Sequence, residues 1–147
     1  LVVTGGLLLV AERVAQRLRP TEEVGTPHAM AIGLAQAMAL TPGLSRSGAT
    51  IAAGLATGIR REEAARFSFL MATPIIVAAA AHQLVQSSLA GAAPGGGPTL
   101  VAGFGASFLV GYLSIGWLLG FVRRAPLYVF VAYTWLFGLA AWWILRG

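Results

Sequence analysis

Between Glu23 and Arg60 the chain carries one formal charge, Arg46, and that charge sits in a break between two apolar runs. The break reads Leu40-Thr41-Pro42-Gly43-Leu44-Ser45-Arg46-Ser47-Gly48-Ala49-Thr50. Pro42 cannot continue a helix, and Gly43 permits backbone angles that other residues avoid. A second apolar run, Ile51 to Ile59, resumes directly afterwards. The pattern predicts helix, break, helix, with two serines, a threonine and an arginine at the break. Few folds can hold such an element, because irregular backbone at membrane depth must be buried in protein or face a wet cavity.

The chemistry of the break suits an anion. A helix restarting near Ser45 opens with N–H groups that lack intrahelical partners, at the positive end of its dipole. Gly48 lets a ligand approach the backbone, and Ser45, Ser47 and Thr50 add hydroxyl donors. Arg46 offers a planar fork that fits phosphate oxygens bidentately. The plainer reading is a kinked helix whose serines cap it and whose arginine snorkels to the surface. The apolar setting favours the anion site, since ionisable residues within membrane segments mark functional positions by default.

That setting is a matter of composition. Of 147 residues, 57% are hydrophobic and 10% charged, against about 25% charged in soluble domains. The chain therefore reads as a membrane protein. It has no cysteine, which excludes a disulfide framework and thiol chemistry. Its ten basic residues are all arginine, against five glutamates. Basic loops beside membrane spans account for that excess, and no nucleic-acid partner is implied.

Lengths then assign the segments. Eleven residues precede Glu12, enough for about 16 Å of helix against a bilayer core of about 30 Å. Residues 1–18 are read as the tail of a transmembrane helix whose start is missing. Glu12 to Thr26 is polar and reads as a helix end and a surface loop. Residues 28–40 and 45–58 would reach about 20 and 21 Å as helices, too short to span. Together, residues 28–58 predict a re-entrant hairpin.

Three full transmembrane helices follow at 67–89, 99–122 and 127–145. Arg60 to Arg66 forms a solvated first turn in which Glu62 and Arg66 can pair four residues apart. Pro74 predicts a kink, and Ser88 to Pro98 a loop. Gly103, Ser107 and Gly111, like Gly116 and Gly120, make small-residue faces for close helix packing. Trp142 and Trp143 suit the membrane interface. If residues 28–58 enter and return, Arg13, Arg17, Arg19, Arg60, Arg61, Arg66, Arg123 and Arg124 share one side, with Arg146 opposite. A full crossing would divide these arginines four to five. The positive-inside rule favours the hairpin, entering from the cytoplasm. The fold class expected is an all-α polytopic membrane protein.

The sequence offers anion-binding groups but little acid–base chemistry. Glu12, Glu22, Glu23, Glu62 and Glu63 lie in basic segments read as surface, and there is no aspartate. No carboxylate is expected at the depth of Arg46, so no metal site is expected in this chain. His28 and His82 lack acid partners, which favours capping or packing roles. Ser45 or Ser47 could serve as a nucleophile, but no adjacent base appears in the sequence to activate them.

Pro42-Gly43-Leu44-Ser45-Arg46-Ser47-Gly48-Ala49-Thr50 resembles the Pro-Gly-x-Ser-Arg-Ser-x-x-Thr motif of the undecaprenyl-diphosphate phosphatase family, the bacitracin-resistance proteins. Ile32-Gly33-Leu34-Ala35-Gln36-Ala37 before it, and Ala65-Arg66-Phe67-Ser68-Phe69-Leu70 with Pro74 after it, resemble the family's flanks. The likeness covers that family's C-terminal half. It implies that Ser45, Arg46 and Thr50 bind the diphosphate, with Gly43, Ser47 and Gly48 in the same site and Arg46 and Ser45 in catalysis. It implies an architecture of inverted repeats whose two hairpin tips meet mid-membrane, as in many transporters. The other half would bring a pair of glutamates, a histidine and the ligands of a divalent cation, Mg or Ca.

By that resemblance the substrate is a polyprenyl diphosphate lipid in a bacterial inner membrane, recycled for cell-wall synthesis. The partners are the bilayer and the N-terminal half, with a homo-oligomer left open. Two other readings compete: a polyprenyl-phosphate transporter or flippase, and a non-catalytic membrane fragment. An intramembrane carboxylate pair is the feature that separates them.

Overall fold

The apolar runs become six α-helices among the described residues of the computed structural model, which are 2–41, 43–89 and 97–146. They are α1 Val2–Ala15, α2 Thr26–Met38, α3 Arg46–Ala56, α4 Arg61–Leu89, α5 Gly97–Arg124 and α6 Tyr128–Arg146. Pro42 and most of the expected 88–98 loop lie outside the described residues.

The shortest helix is the central one. α3 packs on α1, α2 and α4; α6 leans on α1, and α5 on α4. Leu8 and Ala11 of α1, Ala52 and Leu55 of α3, Val122 of α5, and Leu127 and Val131 at α6 form one buried cluster. Ile32 of α2, Ile59 and Ala64 of α4 form a second. α2 and α3 are thus the two arms of a helical hairpin, of 13 and 11 residues.

Local chemistry ends each arm. α2 starts at Gly25, whose N–H donates to Nδ1 of His28 at 3.1 Å, with Pro27 in the first turn. His28 is therefore a helix cap. α3 ends at Gly58, where φ is +92°, a conformation that costs an L side chain about 1–2 kcal/mol. Gly58 N–H donates to the Leu55 carbonyl at 3.0 Å, and Ile59 N–H to the Gly54 carbonyl at 3.0 Å. This is the Schellman arrangement, and it satisfies carbonyls that a helix end otherwise leaves open.

The two feet of the hairpin are stitched together. Thr21 N–H donates to the Gly58 carbonyl, and Arg60 N–H to the Thr21 carbonyl, both at 2.9 Å. The side chains of Arg60 and Glu22 pair beside this bridge. Glu12 reaches in from α1: its side chain is fully buried, and Nε of Arg61 donates to its two oxygens at 3.0 and 3.1 Å.

Two expectations need correction here. Glu12 is not a surface residue; the end of α1 tucks under the first turn of α4, and Arg61 supplies the charge that makes burial tolerable. Glu62 does not pair with Arg66. The end of α5 lies beside that turn, so Glu62 accepts from Arg123 Nε at 2.8 Å, and Arg66 faces Glu63 instead, at 3.9 Å.

α4 and α5 are long and apolar enough to cross a membrane. Their outer parts are bare. α4 buries no described residue beyond Ala72, and α5 buries only Val122. The small faces expected to pack closely on α5 have open space beside Gly103, Gly111, Gly116 and Gly120 among the described residues.

The Glu12–Arg61 pair makes a stability prediction. Arg61→Ala strands a buried carboxylate and should destabilise the intact protein by about 3–5 kcal/mol. Replacing both residues with methionine should recover most of that loss. Denaturant unfolding of the detergent-solubilised protein measures both, and an Arg61→Ala variant as stable as wild type would rule out a buried charge at Glu12.

Candidate anion site at the start of α3

Ser45 stands just outside α3 with extended backbone, and its Oγ accepts the Gly48 N–H at 3.2 Å. This is the side-chain cap that serine favours. Ala49 N–H returns to the Ser45 carbonyl at 2.9 Å. The Ser45 N–H donates to Oγ1 of Thr4 on α1, at 3.0 Å. The N–H groups of Arg46 and Ser47 then find no acceptor among the described residues. They lie at the positive end of the helix dipole.

Thr4 fixes this end in a second way. A Cβ on Gly48 would come within 2.2 Å of the Thr4 methyl, so α1 approaches α3 only because residue 48 is glycine. Thr4 thus fills the place of a side chain at residue 48, while Gly48 itself still borders a cavity. Gly43, in the turn before the motif, sits at φ +89°, where glycine is the residue that fits without strain.

The hydroxyls divide between two surfaces. The Oγ atoms of Ser45 and Ser47 are 3.4 Å apart. Both residues line a cavity of about 250 Å³, with Thr4, Gly48, Phe69 and Tyr133 among its walls. Thr50 does not line it. Its side chain is fully buried, with Oγ1 at 2.9 Å from the Arg46 carbonyl, 3.1 Å from the Ser47 carbonyl and 2.6 Å from Oγ of Ser68. The Arg46 guanidinium is partly exposed and has no hydrogen-bond or ion-pair partner among the described residues. A free guanidinium, two free N–H groups and two hydroxyls within three residues can hold an anion.

Acid–base and metal groups are not gathered there. Among the described residues no three of His, Cys, Asp or Glu come together. Glu12 is held by Arg61, eight residues along α1 from Thr4, or about 12 Å. His28 caps α2, and His82 is exposed on α4. The residues present do not fit a divalent cation. Thr4 and Ser68 were the contributors that the sequence left unmarked as site residues. Their signals were a threonine beside Gly5 in an apolar helix, and a serine spaced by four from Ala64 and Ala72.

Residues 1–140 match the family described as bacitracin resistance protein BacA. An undecaprenyl-diphosphatase of Methanothermobacter thermautotrophicus is 45% identical over 143 residues, covering 95% of this chain and 77% of that protein. One of Rubrobacter xylanophilus is 49% identical over 141 residues, covering 96% of this chain and 51% of that protein. One of Parasynechococcus marenigrum is 44% identical over 148 residues, covering 99% and 51%. The chain thus spans about half the length of the last two curated relatives. From the matched 140 residues and this level of identity, the chain belongs to the bacitracin resistance protein BacA family.

Proposed function

We propose that the chain supplies the phosphate-binding half of an enzyme that hydrolyses undecaprenyl diphosphate to undecaprenyl phosphate and inorganic phosphate. The carrying observation is the start of α3, where the Arg46 guanidinium and the N–H groups of Arg46 and Ser47 have no partner among the described residues. The names of the relatives supply the substrate. In the reaction a water oxygen bonds to the terminal phosphorus and the bridging P–O bond breaks. One phosphate stays on the lipid and the other leaves. Arg46 grips non-bridging oxygens with its fork, and the two N–H groups and the Ser45 and Ser47 hydroxyls meet the charge that builds up on them.

The group that takes the water's proton, and any divalent cation at the phosphates, belong to the remainder of the protein in this reading. Hence residues 1–147 form one repeat of an inverted pair, and the hairpin is re-entrant. Two observations support that topology. α2 and α3 are about 20 and 17 Å long, short of a core of about 30 Å. Their feet are joined by the Thr21–Ile59 bridge, so entry and exit are neighbours. The excess of arginine at that base puts it on the cytoplasmic side of the membrane.

Two experiments test the reading in the intact protein. Arg46→Lys keeps the charge and loses the fork, so turnover of polyprenyl diphosphate should fall about 100-fold, a loss of about 3 kcal/mol in the transition state. Arg46→Ala should leave almost none; undiminished phosphate release by the alanine variant would remove the site. Cysteines at Gly25 and Arg60 should both react with an impermeant thiol reagent from the cytoplasmic side. Labelling from opposite faces would mean that the hairpin crosses the membrane.

A further inference from the structure

We propose that Thr50 and Ser68 are a positioning pair: their hydroxyl contact across α3 and α4 holds the first turn of α3 in place, and Thr50 does not touch phosphate. The proposal rests on the reading of the α3 start as the diphosphate site and alters the part that Thr50 plays in it.

A threonine hydroxyl has one hydrogen and two acceptor lone pairs. Around Thr50 Oγ1 stand the carbonyls of Arg46 and Ser47, at 2.9 and 3.1 Å. Carbonyl oxygens only accept, so they compete for the single Thr50 hydrogen. The third neighbour is Ser68 Oγ at 2.6 Å, in a contact that either hydroxyl can donate; both ways the one Thr50 hydrogen is engaged, by the carbonyls or by Ser68. Phosphate oxygens are also acceptors, and Thr50 has no hydrogen left for one. To reach a phosphate it would have to leave both carbonyls and Ser68, from a position with no exposed surface.

Ser68 carries the complementary sign. Thr57, Thr73, Ser88 and Thr134 all turn their hydroxyls back to a carbonyl three or four residues earlier in their own helix. Ser68 has no such bond among the described residues, and its hydroxyl meets that of Thr50 across the seam with α3. The surrounding seam fixes the register of that contact. Ala64, Ala65 and Ala72 of α4 are buried, and a Cβ on Gly54 would lie 2.8 Å from that of Ala64. Helices this close cannot slide without clashing.

The pair acts on the site through the peptide groups that it grips. Thr50 bonds the carbonyls of Arg46 and Ser47, the two residues whose N–H groups are free. Releasing Thr50 or Ser68 lets that turn fray and moves the donors away from the phosphate. A misplacement on the order of 1 Å can cost about 100-fold in rate.

The test uses the intact protein in detergent, with polyprenyl diphosphate as substrate and inorganic pyrophosphate as competitor. Thr50→Val and Ser68→Ala should each lower kcat about 10- to 100-fold, with KM and the pyrophosphate inhibition constant changed less than about threefold. The double variant should be no worse than the worse single one, because both remove one contact. Thr50→Ser, which keeps the hydroxyl, should restore most of the rate. Amide hydrogen exchange across residues 45–50 should speed up in Thr50→Val and Ser68→Ala alike, whether or not the protein is active. Multiplicative losses, a Thr50→Val defect confined to KM and pyrophosphate binding, or unchanged exchange would each overturn the pair. Absence of phosphate release by the wild-type protein would instead overturn the function, leaving the exchange result to decide the pair.

Discussion

A helix that stops and restarts in an apolar setting exposes N–H and C=O groups that need partners, and the chain is arranged around satisfying them. At the far end of α3 the Gly58 turn closes two carbonyls, and Thr21 takes up the exposed edge beyond it. At the near end Thr4 and Ser45 take two N–H groups. Two more, on Arg46 and Ser47, are left open. The candidate site is therefore what remains after the protein has capped its own central helix, and in the proposed reading an anion would complete the capping.

Much of this was legible in the sequence. Pro42, Gly43 and the lone charge of Arg46 marked the break, and short apolar lengths marked the arms of the hairpin. What was illegible depends on distance along the chain. Glu12 looked solvated because its neighbours in sequence are polar; its real neighbour, Arg61, is 49 residues away. Glu62 looked like a partner for Arg66 by helical spacing, yet Arg123, 61 residues on, stands closer to it. The motif gave Thr50 a place among the ligands, while the carbonyls and the serine around its hydroxyl are visible only in three dimensions. Residue type marked the break, and packing decided which atoms there are spare.

The division of surface follows the same logic. The face of α3 toward α1 and α4 is closed by small residues and glycine, whereas the outer parts of α4, α5 and α6 keep Ile76, Phe104, Phe108, Trp117 and Trp143 bare. Apolar surface on this scale needs lipid or another protein surface to cover it. The interior around α3 is closed, while the outer helices keep an apolar exterior for lipid or another protein surface to cover.

The stitched base gives the hairpin one further property. The Arg60–Glu22 pair joins residues 38 apart, and Glu12 reaches Arg61 across 49. Closing loops of that length costs chain entropy before any contact repays it, so these joints form late. The first turn of α3 can be synthesised and capped by Ser45 and Thr4 well before then, yet its contact with Ser68 waits until the start of α4 has emerged and docked. In the proposed reading the candidate anion site is completed late, when its anchor on α4, downstream in the chain, arrives. A chain stopped short of Ser68 would carry the whole motif and lack that anchor.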